Sequence, residues 1–132
     1  MARGEPREVI VRELVYAVLI IGSLLGLGAM SALSWEQGLQ VSSGLILFGM
    51  ILGVPTGVIY HVQLYRALAP GGVMSAGWYW NPMKYNKMLT DEQWGAVMPW
   101  CYAGAFGFVV IMGGIVALAI AVLSTWAQMS AG

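Results

Sequence analysis

His61 is the only histidine of the chain, and it stands at the end of a regular series of small residues. Gly49, Gly53 and Gly57 precede it at intervals of four, a spacing that places all of them near one face of a helix. A neutral imidazole can bind the iron of a haem or the magnesium of a chlorophyll as an axial ligand. Gly57, one turn earlier, would leave room for a flat ring. The pattern predicts a cofactor-binding pair, His61 and Gly57, with a tetrapyrrole as the candidate cofactor.

The spacing of Gly57 and His61 resembles the small-x-x-x-His arrangement of bacterial antenna helices, and the resemblance covers these two residues. It implies an axial ligand on a membrane helix. The residues themselves leave an alternative open, because a histidine near the end of an apolar run can simply hydrogen-bond water, lipid or a loop residue. A haem with two histidine ligands would need a second chain.

Other chemistry has little support in the sequence. It contains no cluster of histidine, cysteine and carboxylate residues for a metal, no phosphate-binding glycine loop followed by lysine, and no Ser–His–Asp set. Asp91 and Glu92 are explained by the first turn of a helix, where carboxylates complement the helix dipole. Cys101 is the single cysteine, so an internal disulfide is excluded and apolar packing is expected. We therefore predict no catalytic residues, no metal site and no enzyme activity.

The composition indicates the elements that must position these residues. Of the 132 residues, 59% are hydrophobic and 9% are charged, whereas soluble domains have about 25% charged residues. The net charge of zero argues against a nucleic-acid partner. Three apolar runs are long enough to cross a bilayer. The predicted fold is an all-α integral membrane protein, one membrane domain over residues 1–132, with spans at about 14–35, 41–65 and 99–126. A cleaved signal peptide is the less favoured interpretation of the first run.

The segments between the spans have their own signals. Residues 36–38 are expected to form a short turn between the first two spans. The loop 67–98 opens with Pro70, Gly71 and Gly72, which is a turn signal. Thr90 and Gln93 match a capping box. This predicts a short interfacial helix from about Asp91, before Pro99 begins the third span.

The cations predict the orientation. Arg3, Arg7 and Arg12 precede the first span, and Arg66, Lys84 and Lys87 lie between the second and the third. Since cytoplasmic segments are enriched in lysine and arginine, we expect a cytoplasmic N-terminus and loop and a periplasmic C-terminus, in a bacterial inner membrane.

Small residues recur at helical spacing in every span. In lipid, such residues let helix backbones approach closely. Pro55, within the second span, is interpreted as a static kink. The predicted helix-packing positions, which together form a glycine zipper, are Gly22, Gly26, Gly49, Gly53, Gly57, Gly107 and Gly114.

The loop also predicts a surface at the depth of the lipid headgroups. Cations there can reach phosphates while aromatic rings lie in the interface. The surface serves either as a lipid anchor or as a docking site, and its members are Arg66, Trp78, Trp80, Lys84 and Lys87.

The favoured function is a non-catalytic accessory subunit that packs within a larger membrane complex, such as a respiratory or photosynthetic one, and stabilises or assembles it. The expected partners are the lipid bilayer and other membrane subunits or copies of the chain itself. One alternative is a homo-oligomeric channel or carrier that uses the face of Gly49, Gly53 and Gly57. The other is a haem- or chlorophyll-binding protein with His61 as axial ligand.

Overall fold

Three long helices make up most of the chain. The computed structural model describes residues 6–132, and the side chains from residue 9 onward, so Arg3 and the side chain of Arg7 lie outside the described part. The helices are α1 (Pro6–Ser31), α2 (Trp35–Leu68) and α3 (Asp91–Ala131). About 90% of the structure is helical, and the described residues contain no strand. Each helix contains a stretch long and apolar enough to cross a membrane, which confirms the prediction of an all-α fold with three helices of spanning length.

The connection between α1 and α2 lies earlier in the chain than predicted, at residues 32–34. The Ser34 hydroxyl accepts the N–H of Gln37 at 3.3 Å, and the Gln37 amide oxygen accepts the N–H of Ser34 at 3.1 Å. This reciprocal capping box starts α2 at Trp35. The prediction of a turn at residues 36–38 is therefore wrong, because the capping box of Ser34 and Gln37 starts the helix before those residues.

The start of α3 also differs from the expectation. The predicted capping box is present, since Thr90 accepts the N–H of Gln93 at 3.3 Å and Gln93 accepts the N–H of Thr90 at 3.0 Å. The helix then continues through Pro99 without a break. A proline in the middle of a helix costs one backbone hydrogen bond but does not always end the helix. The short helix expected before Pro99 is thus the first part of α3. The whole helix is about 60 Å long, roughly twice the thickness of a hydrocarbon core.

The chain divides into two compact units. One comprises residues 42–115, and the other comprises residues 1–41 and 116–132. In the first unit, α2 and α3 run antiparallel, since Gly49 lies beside Gly107 and Gly57 lies beside Gly104. In the second unit, a Cβ on Gly38 would lie 2.8 Å from the Cβ of Ala121. Both units therefore contain close contacts between α2 and α3.

Glycines set the separation of α2 and α3 in the unit of residues 42–115. A Cβ on Gly107 would lie 2.6 Å from the backbone nitrogen of Gly53, and one on Gly49 would lie 2.8 Å from the carbonyl oxygen of Gly107. A Cβ on Gly114 would lie 3.0 Å from the backbone nitrogen of Ile46. Real Cβ atoms do not approach backbone atoms this closely, so side chains at these positions would push the helices apart.

The segment between α2 and α3 folds back onto the adjoining ends of those helices. It contains three short 3-10 helices, Ala69–Gly71, Trp78–Trp80 and Pro82–Met88. Tyr85 from this segment joins a buried cluster with side chains of both helices. The remaining members of that cluster are Tyr60, Leu64 and Leu68 of α2 and Val97, Met98 and Cys101 of α3. Cys101 is a buried free thiol, as expected from apolar packing.

Candidate functional site

The candidate site is an open cleft between the last turns of α2 and the segment that follows it. Its volume is about 530 Å³ and its lining is almost entirely apolar. Four lining residues lie on consecutive turns of α2, and two come from the 3-10 helix Trp78–Trp80. They are His61, Val62, Tyr65, Arg66, Trp78 and Tyr79.

Trp78 forms one wall of the cleft. Its ring stacks on that of Tyr65, with centroids 5.6 Å apart and planes at 26°. The ring centroid of His61 lies 5.8 Å from that of Trp78. His61 and Tyr65 are four residues apart on one helix, so their side chains are neighbours on one face and a single indole can cover both. Tyr79 extends the wall, with its ring 6.2 Å from Trp78.

His61 has a defined hydrogen bond. Its Nδ1 lies 2.8 Å from the carbonyl oxygen of Gly57. A carbonyl can only accept, so Nδ1 carries the proton, and in the neutral ring Nε2 keeps a free lone pair. That lone pair is what either a metal or a hydroxyl donor requires. Gly57 remains open, since a Cβ there would meet nothing within 4 Å. Ligation of a tetrapyrrole by His61 stays a prediction.

Three hydrogen bonds hold the loop in place: one joins it to α2, and two lie within it. The Tyr60 hydroxyl donates to Oδ1 of Asn86 at 2.7 Å, and both residues are buried. The Ser75 N–H donates to the Tyr85 hydroxyl at 3.4 Å, and the two hydroxyls lie 2.8 Å apart. These contacts with Ser75 stabilise the phenolate and lower the pKa of Tyr85. The segment that carries Trp78 is thereby tied to α2.

Gln93 connects the two helix ends. Besides capping α3, its amide nitrogen donates to the carbonyl oxygen of Ala67 at 3.1 Å. That carbonyl lies in the last turn of α2, where backbone acceptors lack helical partners. Sequence analysis found the capping box but not this second bond. No local signal could have found it, because Ala67 and Gln93 are 26 residues apart.

The predicted headgroup surface is not one cluster in the structure. Arg66 and Trp78 both line the cleft, whereas Trp80 lies outside it and is 84% exposed. Lys84 lies over the ring of Tyr85, with its amine 4.9 Å from the centroid. Lys87 is exposed on the 3-10 helix Pro82–Met88. The sequence analysis did not predict that Tyr65 and Tyr79 would line the same cleft.

The predicted packing glycines fall into two groups. Gly49, Gly53, Gly107 and Gly114 lie where α2 and α3 approach most closely. A Cβ on Gly22 or Gly26 of α1, or on Gly57 of α2, would meet no atom within 4 Å. The face proposed for a homo-oligomeric channel is thus largely occupied by α3 of the same chain.

Within residues 9–132, whose side chains the structure describes, no three or more histidine, cysteine or carboxylate groups lie together as a metal site would require. Comparison with known proteins gives no match: no family model matches the chain, and no curated protein or solved structure is similar to it.

Proposed function

We propose that the protein is a non-catalytic accessory subunit of a larger membrane complex, and that α1 is the helix through which it packs on a neighbouring chain. The observation that carries this proposal is the exposure of α1. No residue in its membrane-spanning window is buried, although the window is apolar and of spanning length. Lipid alone could surround such a helix, but contact with lipid gives no physical reason for glycines along one face.

The glycine face of α1 is the reason for choosing a protein partner over lipid. Glycine destabilises a helix by about 1 kcal/mol relative to alanine. Gly22 and Gly26 share one face of α1 and have open space before them. In membranes, small residues spaced by four allow another helix to approach closely. A partner helix on this face would recover in packing what the two glycines cost in helix stability.

Location and orientation belong to the same proposal. The membrane location rests on the three apolar helices. We place the chain in a bacterial inner membrane with the loop 67–98 and the N-terminus in the cytoplasm, because Arg12, Arg66, Lys84 and Lys87 all flank that side. The first turns of α3 then lie at the cytoplasmic interface. A phosphatase that is active only in the periplasm should be active when fused after Gly132. Activity only when it is fused in the loop would show the opposite orientation.

The test of function is purification of the full chain from its native membrane in mild detergent, with mass spectrometry of companion proteins. The wild-type chain should retain a partner in fixed proportion. Replacing both Gly22 and Gly26 by leucine should release it, because two large side chains would fill the packing face. Gly28→Leu is the matched control, since Gly28 is equally open but points to another side of α1.

Two results would contradict the proposal. Recovery of the wild-type chain from its native membrane without any companion protein would leave α1 without a protein partner. Equal loss of the companion in Gly28→Leu would show that the effect comes from bulk anywhere on α1 and not from the glycine face.

A further inference from the structure

The 3-10 helix Trp78–Trp80 lies beside a part of α2 well before the end of that helix. α2 ends at Leu68, and Trp78 follows ten residues later in the chain. Even so, the ring of Trp78 stacks on that of Tyr65 and lies 5.8 Å from that of His61. His61 is seven residues before Leu68, about 10 Å along the helix axis. The loop therefore turns back along the side of α2, in the direction of the apolar spans.

The level of His61 corresponds to one edge of a bilayer. Gly57 lies beside Gly104, and α2 and α3 run antiparallel, so His61 is level with Trp100. Trp100 and Trp126 of α3 are about 39 Å apart along the helix axis, close to the roughly 40 Å of a bilayer with its interfacial regions. Tryptophan is enriched at both interfaces of a membrane. This spacing indicates that Trp100, and with it His61, lies at an interface.

The 3-10 helix Trp78–Trp80 presents large rings to its surroundings at this level. Tyr79 and Trp80 are 56% and 84% exposed, and their ring centroids are 5.7 Å apart. Tyr79 also lines the cleft, whose surface is almost entirely apolar. The exposed rings therefore continue the apolar surface of the cleft. At an interface, an indole places its ring among acyl chains and its N–H among headgroups, whereas in water the ring gains no such contact.

We propose that the 3-10 helix Trp78–Trp80 is a lipid anchor. Trp80 inserts among the lipids at the interface, and an acyl chain of a neighbouring lipid lies in the cleft, against Val62 and the ring of Trp78. The bilayer is the partner that fits this surface, because the surface is apolar, lies at the level of the interface and adjoins helices of spanning length.

An anchor of this kind fixes the depth of the helices in the membrane. α3 is about twice as long as the hydrocarbon core is thick, so its length alone leaves its depth open. An aromatic side chain held at the interface removes that freedom. The anchor does not depend on the partner helix proposed for α1, so either proposal can fail without the other.

The experiment uses the full chain with fluorotryptophan in nanodiscs of phosphatidylethanolamine and phosphatidylglycerol. Fluorine NMR detects each tryptophan, and Trp80→Phe assigns the Trp80 resonance by its disappearance. Two paramagnetic agents measure depth, namely a lipid with a nitroxide near the top of its acyl chain and a gadolinium chelate in the water. The spin-labelled lipid should broaden the Trp80 resonance about as strongly as that of Trp100.

Trp94 is the matched control. It is 43% exposed and lies six residues before Trp100, about 9 Å farther from the bilayer centre. The chelate should broaden its resonance, assigned with Trp94→Phe, several-fold more than that of Trp80. The Trp78 resonance tests the cleft, because an acyl chain against this ring brings the spin-labelled lipid close to it. Circular dichroism of both variants checks that the helices are intact.

Four results would overturn the proposal. Strong broadening of the Trp80 resonance by the chelate and none by the spin-labelled lipid would place the ring in water, as part of a surface for a soluble partner. Equal responses of Trp80 and Trp94 would remove the difference in depth. A Trp78 resonance that neither agent broadens would show that no lipid enters the cleft. Failure of Trp100 and Trp126 to respond to the spin-labelled lipid would contradict the membrane placement itself.

Discussion

Helix α1 and the pair formed by α2 and α3 carry the same kind of small-residue pattern, but their surroundings differ. Between α2 and α3, the backbone of the facing helix occupies the space where a side chain would lie, as at Gly53 and Gly107. On α1, Gly22 and Gly26 face open space. The same spacing thus marks a contact within the chain between α2 and α3. On α1, by our proposal, it marks a contact with another chain. Spacing alone does not distinguish the two.

The largest expected effect is at Gly107. Gly107→Ala should destabilise the chain by about 2–3 kcal/mol. The new methyl group would clash with the backbone of Gly53, and the two helices would have to move apart to make room for it. The measurement is the unfolding free energy in mixed detergent micelles. Gly113→Ala, six residues further along α3, meets no atom within 4 Å and should be neutral or slightly stabilising. Equal effects at both positions would contradict the close approach.

The next effect concerns the buried bond between α2 and the loop. Tyr60→Phe removes the donor to Asn86 and leaves a buried amide oxygen without its partner, which should cost about 1–3 kcal/mol. The same unfolding assay measures it. Tyr102→Phe is the control, since Tyr102 is 61% exposed, and it should change little. A stable Tyr60→Phe variant would show that the loop is held by apolar contacts alone.

Gln93 should show a smaller loss. Gln93→Glu keeps the acceptor for the Thr90 N–H but replaces the donor to Ala67 by a second acceptor, so a cost of about 1 kcal/mol is expected. Gln37→Glu is the matched control, because Gln37 has the capping role at α2 and no bond to another helix among its described contacts. Equal destabilisation of the two variants would assign the whole effect to capping.

The smallest effect is expected in α1 of the isolated chain. Gly22→Ala and Gly26→Ala should leave the unfolding free energy unchanged or raise it by up to about 1 kcal/mol, because alanine favours the helix and no neighbour resists it. Marked destabilisation of the purified monomer would place α1 in an internal contact and remove the contrast with α2 and α3.

Much of the helical architecture can be predicted from hydropathy, since apolar runs of spanning length have few other uses. The helix boundaries could be improved with signals already in the sequence, because Ser34 and Gln37 match the same capping pattern as Thr90 and Gln93. The cleft could not be predicted. Trp78 reaches Tyr65 only through the path of the 3-10 turns, and contacts of this kind follow tertiary packing rather than a periodic pattern.

The central claim is that the glycine face of α1 packs on another protein. A photoreactive amino acid at Val18, which lies four residues before Gly22 on the same face, tests it directly in the native membrane. The same probe at Leu24, on the opposite side of α1, is the control. We predict a cross-linked product of one defined mass, containing a second membrane protein, from Val18 and not from Leu24. Lipid adducts alone from both positions would contradict the claim.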